Sequence, residues 1–199
     1  MKLNRLTLTL GLLVILALLI VASFAVQRVS RDGGKALVGG PFQLIDQDGL
    51  RADEALLKGR WSLVFFGFTN CPDVCPGTLQ VLGATAIQLG PEKANDLQVV
   101  FVTIDPERDT PATLKAYLNA QRLPLRVVGL SGSAEQIKAA ALAYRVFYEP
   151  AKLDGGGYTM NHSTAVYLID REGHFDRVLA FGLTPSEMAT QIEAARRGA

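Results

Sequence analysis

The sequence predicts an α/β protein with a parallel or mixed β-sheet, preceded by one transmembrane helix. Three observations lead to this prediction. Almost continuously apolar runs, typical of strands buried on both faces, alternate with segments of helical periodicity. The series ends in two further strands and a helix. Close to the N-terminus, 21 consecutive residues carry no charge.

The uncharged stretch, residues 6–26, is long enough to cross a bilayer. At about 1.5 Å per residue, a helix of this length spans about 30 Å. It follows Lys2 and Arg5, as a signal-anchor or a cleavable signal peptide does, and small residues allow cleavage after Ala25. Cleavable hydrophobic regions usually have about 7–15 residues. The greater length here favours a retained anchor.

We therefore expect an exported domain on a single-pass protein of a bacterial inner membrane, with the C-terminal domain facing the periplasm. No Arg/Ser-rich presequence precedes the apolar run, so mitochondrial import is not indicated. Charge orients the anchor only weakly, because Arg28 and Arg31 on the far side nearly match the two cations before it.

The length of the rest of the chain is that of one domain, and its charge argues against nucleic-acid binding. The predicted organisation is a tail (1–5), the anchor (6–26), a linker (27–38) and one domain (39–199). Of the chain's 20 Lys+Arg and 19 Asp+Glu, residues 37–199 hold 15 and 18, a net charge of −3. A mildly acidic domain lacks the basic surface that DNA or RNA binding requires.

Strands and helices can be assigned along the domain from periodicity and turn residues. Eight segments have strand character, in chain order 42–45, 50–52, 61–68, 97–104, 126–130, 144–148, 163–169 and 175–181. Helices are predicted at 53–58, at 77–89, from Pro111 onward, and after two capping boxes that begin at Ser133 and Thr184. This order of elements is typical of a thioredoxin-like fold, here with an N-terminal β-hairpin extension.

The two cysteines of the chain, Cys71 and Cys75, are predicted in the loop between the first buried strand and its helix. Ligands of open α/β folds collect at such loops. On a helical turn, residues four apart have Cα atoms about 6 Å apart, which suits either a disulfide or two thiolates on one metal ion. A thiolate there is also favoured by the helix N-terminus. The spacing therefore permits both redox and metal chemistry.

Two histidines complete the set of candidate metal ligands. His174 follows a hairpin turn and is expected at the surface, whereas His162 directly precedes a buried strand and is either a turn residue or a ligand. A structural zinc site needs four ligands, blue copper needs two histidines, and no CxxCH motif is present for haem. Two thiolates and one imidazole suit Cu(I). A Cys₂His zinc site with bound water stays open.

Four motifs make the chain resemble the SCO/SenC family. They are GGPF (39–42), FFGFTNCPDVCP (65–76), FVTIDPERDTP (101–111) and YTMNHS (158–163), in the family's order. The resemblance implies a membrane-anchored, thioredoxin-like copper protein. Such a protein delivers copper to the copper A centre of cytochrome c oxidase subunit II or keeps the cysteines of that centre reduced, or it supplies another envelope copper protein. The resemblance also implies Cu(I), with Cu(II) as a second state, bound by Cys71, Cys75 and His162, and a redox pair formed by the two cysteines.

Two other functions compete with a copper chaperone. One is a thiol–disulfide oxidoreductase that uses Cys71 and Cys75 as nucleophile and resolver in either order; the other is a peroxiredoxin-like peroxidase. The spacing is CxxxC rather than CxxC, and no arginine can be assigned to a peroxidatic cysteine. Leu79 stands where a copper A carrier would have histidine. The chaperone interpretation is therefore favoured, with thiol chemistry as a companion activity.

Three acidic residues near these motifs have open roles. Asp73, between the cysteines, is either a source of local charge or a turn residue. Asp105 ends a predicted strand on the side of the cysteine loop. Asp109 is predicted, with Thr110, to cap the following helix.

Overall fold

The computed structural model describes residues 38–198, together with Ile15 and Ser23. Among these described residues, no helix has both the length and the apolar character needed to cross a membrane. The predicted transmembrane helix (6–26) lies outside them except for Ile15 and Ser23, and the predicted linker (27–38) except for Val38. Residues from Val38 onward form one compact unit.

Seven strands form a mixed sheet, and two more form a separate hairpin. In chain order the strands are β1 (Gln43–Asp46), β2 (Arg51–Asp53), β3 (Trp61–Gly67), β4 (Leu97–Thr103), β5 (Arg126–Ser131), β6 (Tyr148–Lys152), β7 (Tyr158–His162), β8 (Val166–Ile169) and β9 (Phe175–Leu179). The sheet order is β2-β1-β5-β4-β3-β8-β9, and β6 and β7 form a separate two-stranded sheet. β3, β4 and β5 are parallel, whereas β8, β9 and the β1–β2 extension are antiparallel to their neighbours.

Between residues 38 and 198, five α-helices cover the sheet, and the sequence explains where several of them begin. They are α1 (Val74–Leu89), α2 (Pro91–Asn95), α3 (Pro111–Gln121), α4 (Ala134–Ala143) and α5 (Pro185–Gly198). Thr110 caps α3 through the Thr113 N–H, and Ser133 caps α4 in a full capping box. At the start of α5, Thr184 and Glu187 bond reciprocally. Each cap satisfies backbone donors that have no partner inside the helix.

The core lies on both sides of the two central strands. Every residue of β3 and β4 is buried, which requires that both faces of the sheet be covered. α1 packs against α5, α3 against β5, and α4 against β1. The predicted α/β architecture with its N-terminal hairpin is therefore confirmed, and β3 directs its carboxyl end into the cysteine loop.

One local prediction was wrong and one element was missed. The strand expected at 144–148 begins only at Tyr148, because Tyr144 and Arg145 form the turn that follows α4, and it pairs with an unpredicted strand, β7. The short helix α2 was not predicted. The short helix expected at 53–58 is present as a 3₁₀ helix, Glu54–Leu57, with Asp53 and Lys58 as its caps.

Candidate metal centre

The structure brings Cys71, Cys75 and His162 together from three different elements. Cys71 lies in the loop after β3, and His162 is the last residue of β7. Cys75 was predicted in the loop but lies in the first turn of α1, because this helix begins at Val74 rather than at residue 77. The ligand atoms of the three side chains all lie within 4.8 Å of one another.

Both cysteines are free thiols and are already close to each other. The backbone N–H of Cys75 donates to Cys71 Sγ over 3.3 Å. Cys71 is half-buried, whereas Cys75 is fully buried. The pair therefore consists of one partly exposed cysteine and one cysteine enclosed by the protein.

The ring of His162 directs a nitrogen lone pair at Cys75. Its Nδ1–H donates to the carbonyl oxygen of Ser163 over 2.8 Å, which leaves Nε2 unprotonated, 3.8 Å from Cys75 Sγ. Fixing one ring nitrogen in this way is how proteins set the tautomer of a ligating histidine. Burial lowers the pKa of His162, and the hydrogen bond to Ser163 opposes this only in part. The imidazole is therefore neutral at pH 7.

Aromatic rings hold His162 on the sheet side of the site. Phe65 and Phe68 meet the imidazole edge-on, with ring centres 6.2 and 5.8 Å away. Such edge-to-face contacts fix the plane of a ring as well as its position. Sequence reasoning missed both residues, although they lie within the motif at 65–76.

Cys75 packs so closely on β3 that only glycine fits beneath it. A Cβ added to Gly67 would lie 2.8 Å from Cys75 Sγ and 3.0 Å from the Phe101 ring. Burial raises the pKa of the Cys75 thiol, and the neighbouring Cys71 adds to the increase. In the metal-free protein this thiol is therefore protonated at pH 7.

Asp109 anchors the cysteine loop and does not cap the next helix as predicted. Its fully buried carboxylate accepts hydrogen bonds from the Thr69 N–H (2.9 Å), the Thr69 hydroxyl (2.5 Å) and the Thr103 hydroxyl (2.6 Å). Capping is left to Thr110. Since Thr69 precedes Cys71 by two residues, Asp109 ties the start of the loop to the end of β4.

The other polar candidates lie outside the three-residue cluster. His174 is exposed, as predicted, with its Nδ1 3.7 Å from Asp170 Oδ2. Asp73 is exposed at the N-terminus of α1 and makes no side-chain capping bond. Asp105 is buried and binds Arg108 and Tyr158, two residues that sequence reasoning did not single out.

The chemistry of the cluster fits a soft metal ion or a dithiol. Bonds of about 2.0–2.3 Å to one ion separate donor atoms by about 3.5–4 Å, and the S···N distance of 3.8 Å falls in that range. Two thiolates and one neutral imidazole suit Cu(I), and a zinc ion with an open position also fits them.

Metal affinity is expected to rise with pH, because the Cys75 thiol must lose its proton to become a ligand. Between about pH 6 and about pH 8 we expect the apparent Cu(I) affinity of the reduced protein to increase at least about tenfold per pH unit. Competition with a chelator of known protonation constants measures this. An affinity that does not change over the range would contradict protonation of the thiol.

The chain has a thioredoxin-like fold, and two thiols and an imidazole meet at the carboxyl end of a central strand. These features define a class of proteins suited to metal binding and thiol exchange. The chain belongs to the SCO1/SenC family, whose model matches residues 30–197.

Relatives of the chain include mitochondrial and bacterial proteins. Protein SCO1 homolog 1, mitochondrial, of Arabidopsis thaliana is 40% identical over 144 residues, which are 72% of this chain and 42% of that protein. The SCO2-like protein RC0895 of Rickettsia conorii is 40% identical over 153 residues, 76% of this chain and 73% of the relative. The chain thus spans less than half of the plant protein and most of the bacterial one.

Solved structures show the same fold. Bradyrhizobium japonicum ScoI with copper bound superposes with a TM-score of 0.71 at 40% identity, covering 79% of this chain and 99% of that one. BsSco, described as a member of the Sco family of cytochrome c oxidase assembly proteins with a disulfide switch, has a TM-score of 0.61 at 25% identity, covering 81% and 95%. The thioredoxin-like α/β fold is therefore shared with proteins of this family.

Proposed function

We propose that this protein binds copper through Cys71, Cys75 and His162 and delivers it during assembly of cytochrome c oxidase. The observation that carries the proposal is the convergence of these three ligand atoms within 4.8 Å, with the imidazole lone pair facing the thiol. Cu(I) is the expected cargo because both sulfurs are soft ligands, and Cu(II) is a second state. The Bradyrhizobium japonicum relative, whose structure contains bound copper, supports copper as the metal.

The proposed recipient is the copper A site of cytochrome c oxidase subunit II, or another copper protein of the envelope. Support comes from BsSco, whose family is described as cytochrome c oxidase assembly proteins. The uncharged residues 6–26 serve as a single-pass anchor in the inner membrane, so that the domain faces the periplasm. A tether of this kind keeps the copper protein close to a membrane-bound oxidase.

The unequal exposure of the two sulfurs gives copper transfer a direction. Cys71 is half-buried and accessible to a thiolate of the recipient, whereas Cys75 and His162 are held by the core and by Ser163. Exchange therefore begins at Cys71, where a recipient ligand replaces its sulfur. Cys75 and His162 keep the ion bound until a second recipient ligand reaches it.

A second function, reduction of a partner's disulfide, is supported by the same pair of thiols and by the disulfide switch of BsSco. The Cys71 thiolate attacks the partner's disulfide and releases one partner thiol, and Cys75 then attacks the mixed disulfide. Two electrons and two protons pass to the partner, which leaves with two thiols while a Cys71–Cys75 disulfide forms. Because Cys75 is buried and protonated, Cys71 is the nucleophile.

Removal of His162 tests the copper proposal. The full chain, reduced and loaded with Cu(I) in detergent, is expected to hold one copper per chain. His162→Ala is expected to weaken binding by about 100-fold, since even outer-sphere changes cost metal sites about 10–100-fold. His174→Ala, which removes an exposed imidazole, is the matched control and is expected to bind like the wild type.

Two outcomes separate the functions. If both histidine variants bound copper with the affinity of the wild type, His162 would not be a copper ligand. A wild-type chain that retains no copper but exchanges its disulfide readily with thiols would make the oxidoreductase its main function.

A further inference from the structure

We propose that Arg108 is a positioning residue which, with Asp105 and Tyr158, holds the β6–β7 hairpin so that His162 faces the two cysteines. This inference rests on the proposed function, because it assigns a role in the same metal centre. Arg108, Asp105 and Tyr158 together form the hairpin clamp. None of them touches the proposed ion, and they act only through the placement of His162.

The position of His162 needs support from outside its own strand. Within residues 38–198, β7 pairs only with β6, and this two-stranded sheet makes no ladder with the seven-stranded sheet that carries the cysteine loop. Isolated hairpins of two strands are marginally stable in water. Residues 163–165 join β7 to β8 of the main sheet, and beyond this short link the distance between His162 and Cys75 depends on side-chain contacts between the hairpin and the domain.

The hairpin clamp supplies such contacts at the far end of β7. The Arg108 Nη1–H donates to the Tyr158 carbonyl oxygen over 2.9 Å, and the guanidinium lies 3.9 Å from the centre of the Tyr158 ring. The Tyr158 hydroxyl donates to Asp105 Oδ1 over 2.9 Å, and Asp105 pairs with Arg108. Three interactions thus join the start of β7 to the loop that follows β4.

Strand geometry carries this restraint to the metal centre. Alternate residues of a strand share one face, so Tyr158, Met160 and His162 lie on the same side of β7. Met160 packs against the core from that side. Holding Tyr158 against Arg108 therefore prevents β7 from rotating about its axis, and the same face presents His162 to Cys75.

The arginine also contacts the residue against which His162 packs. Its guanidinium carbon lies 6.0 Å from the centre of the Phe68 ring, and Phe68 meets the His162 ring edge-on. Among the described residues, the buried Arg108 Nη2 has no hydrogen-bond partner. A buried donor without a partner lowers the free energy of unfolding. The position of Arg108 is therefore not explained by a gain in protein stability alone.

The first test measures the hairpin without copper. In the reduced, metal-free full chain, Arg108→Gln is expected to make amides of residues 148–162 exchange hydrogen about tenfold faster, with the amides of β3 and β4 unchanged. Arg171→Gln is the matched control: it removes an arginine paired with Asp96 at the opposite end of β3 and is expected to change neither region.

The second test asks whether Arg108 acts through His162. Arg108→Gln is expected to lower Cu(I) affinity about tenfold, yet by less than about twofold when His162→Ala is already present. Arg108→Lys is not expected to preserve the Cu(I) affinity of the wild type, because an ammonium group lacks the planar face that stacks on Tyr158.

The hairpin clamp and copper binding can fail independently in these two tests. If Arg108→Gln and His162→Ala lowered Cu(I) affinity additively in the double variant, the hairpin clamp would be refuted. Amide hydrogen exchange in Arg108→Gln that rises equally throughout the domain, or does not rise, would also refute it. A wild-type chain without copper would refute the proposed function, and the exchange measurement would then decide alone whether the clamp exists.

Discussion

Replacing Asp109 with alanine is expected to lower the free energy of unfolding by about 3–5 kcal/mol. The carboxylate is fully buried and accepts three hydrogen bonds, so its removal leaves the Thr69 N–H and two hydroxyls without their acceptor. The loss also frees the start of the cysteine loop, and copper binding should weaken with it. Urea unfolding of the reduced, metal-free chain measures the change.

Asp73→Ala is the matched control for this prediction. Asp73 lies between the cysteines but is exposed and makes no capping hydrogen bond, so its removal costs only its interaction with the dipole of α1, under about 1 kcal/mol. Equal effects of the two substitutions would show that Asp109 does not anchor the loop.

Gly67→Ala is expected to destabilise the protein by about 1–3 kcal/mol and to displace Cys75 from the metal centre. The added methyl group would lie 2.8 Å from Cys75 Sγ and 3.0 Å from the Phe101 ring, and neither can move far inside a fully buried core. Copper retention should therefore fall together with stability. Both quantities can be measured on the same reduced preparation.

A second glycine provides the comparison. Gly77 lies in α1, two residues after Cys75, and a Cβ there meets no atom within 4 Å. Gly77→Ala is expected to stabilise the chain by about 0.5–1 kcal/mol through higher helix propensity. If Gly67→Ala behaved in the same way, close packing of Cys75 on β3 could not be the reason for glycine at position 67.

The central sheet was predictable because its strands are buried on both faces. Continuous apolar runs mark β3 and β4, and capping boxes at Ser133 and Thr184 mark the starts of two helices. These signals lie in short stretches of sequence, and the interactions behind them contribute substantially to the stability of the fold. The order of the elements then leaves few topologies to consider.

The β6–β7 hairpin could not be predicted from the same kind of signal. β6 contains Pro150, is mostly exposed and lacks regular alternation, and three glycines (155–157) suggest only a loop. Side-chain contacts with Arg108 and Asp105, some 50 residues earlier, help to hold this hairpin against the domain. Such distant contacts leave no periodic pattern.

The candidate site was partly visible in the sequence. The spacing of Cys71 and Cys75 beside a helix start indicated metal or redox chemistry directly. His162 looked equally like a turn residue, and only the family resemblance singled it out. The features that make it a plausible ligand, the Ser163 carbonyl and the rings of Phe65 and Phe68, depend on how β7 packs.

X-ray absorption at the copper edge tests the central claim most directly. The wild-type full chain is reduced, loaded with Cu(I) and freed of excess metal before the measurement. We predict one copper per chain, bound by two sulfur ligands and one imidazole nitrogen, as the arrangement of Cys71, Cys75 and His162 requires. Copper held only by nitrogen and oxygen ligands, or lost during removal of the excess, would contradict the proposed metal centre.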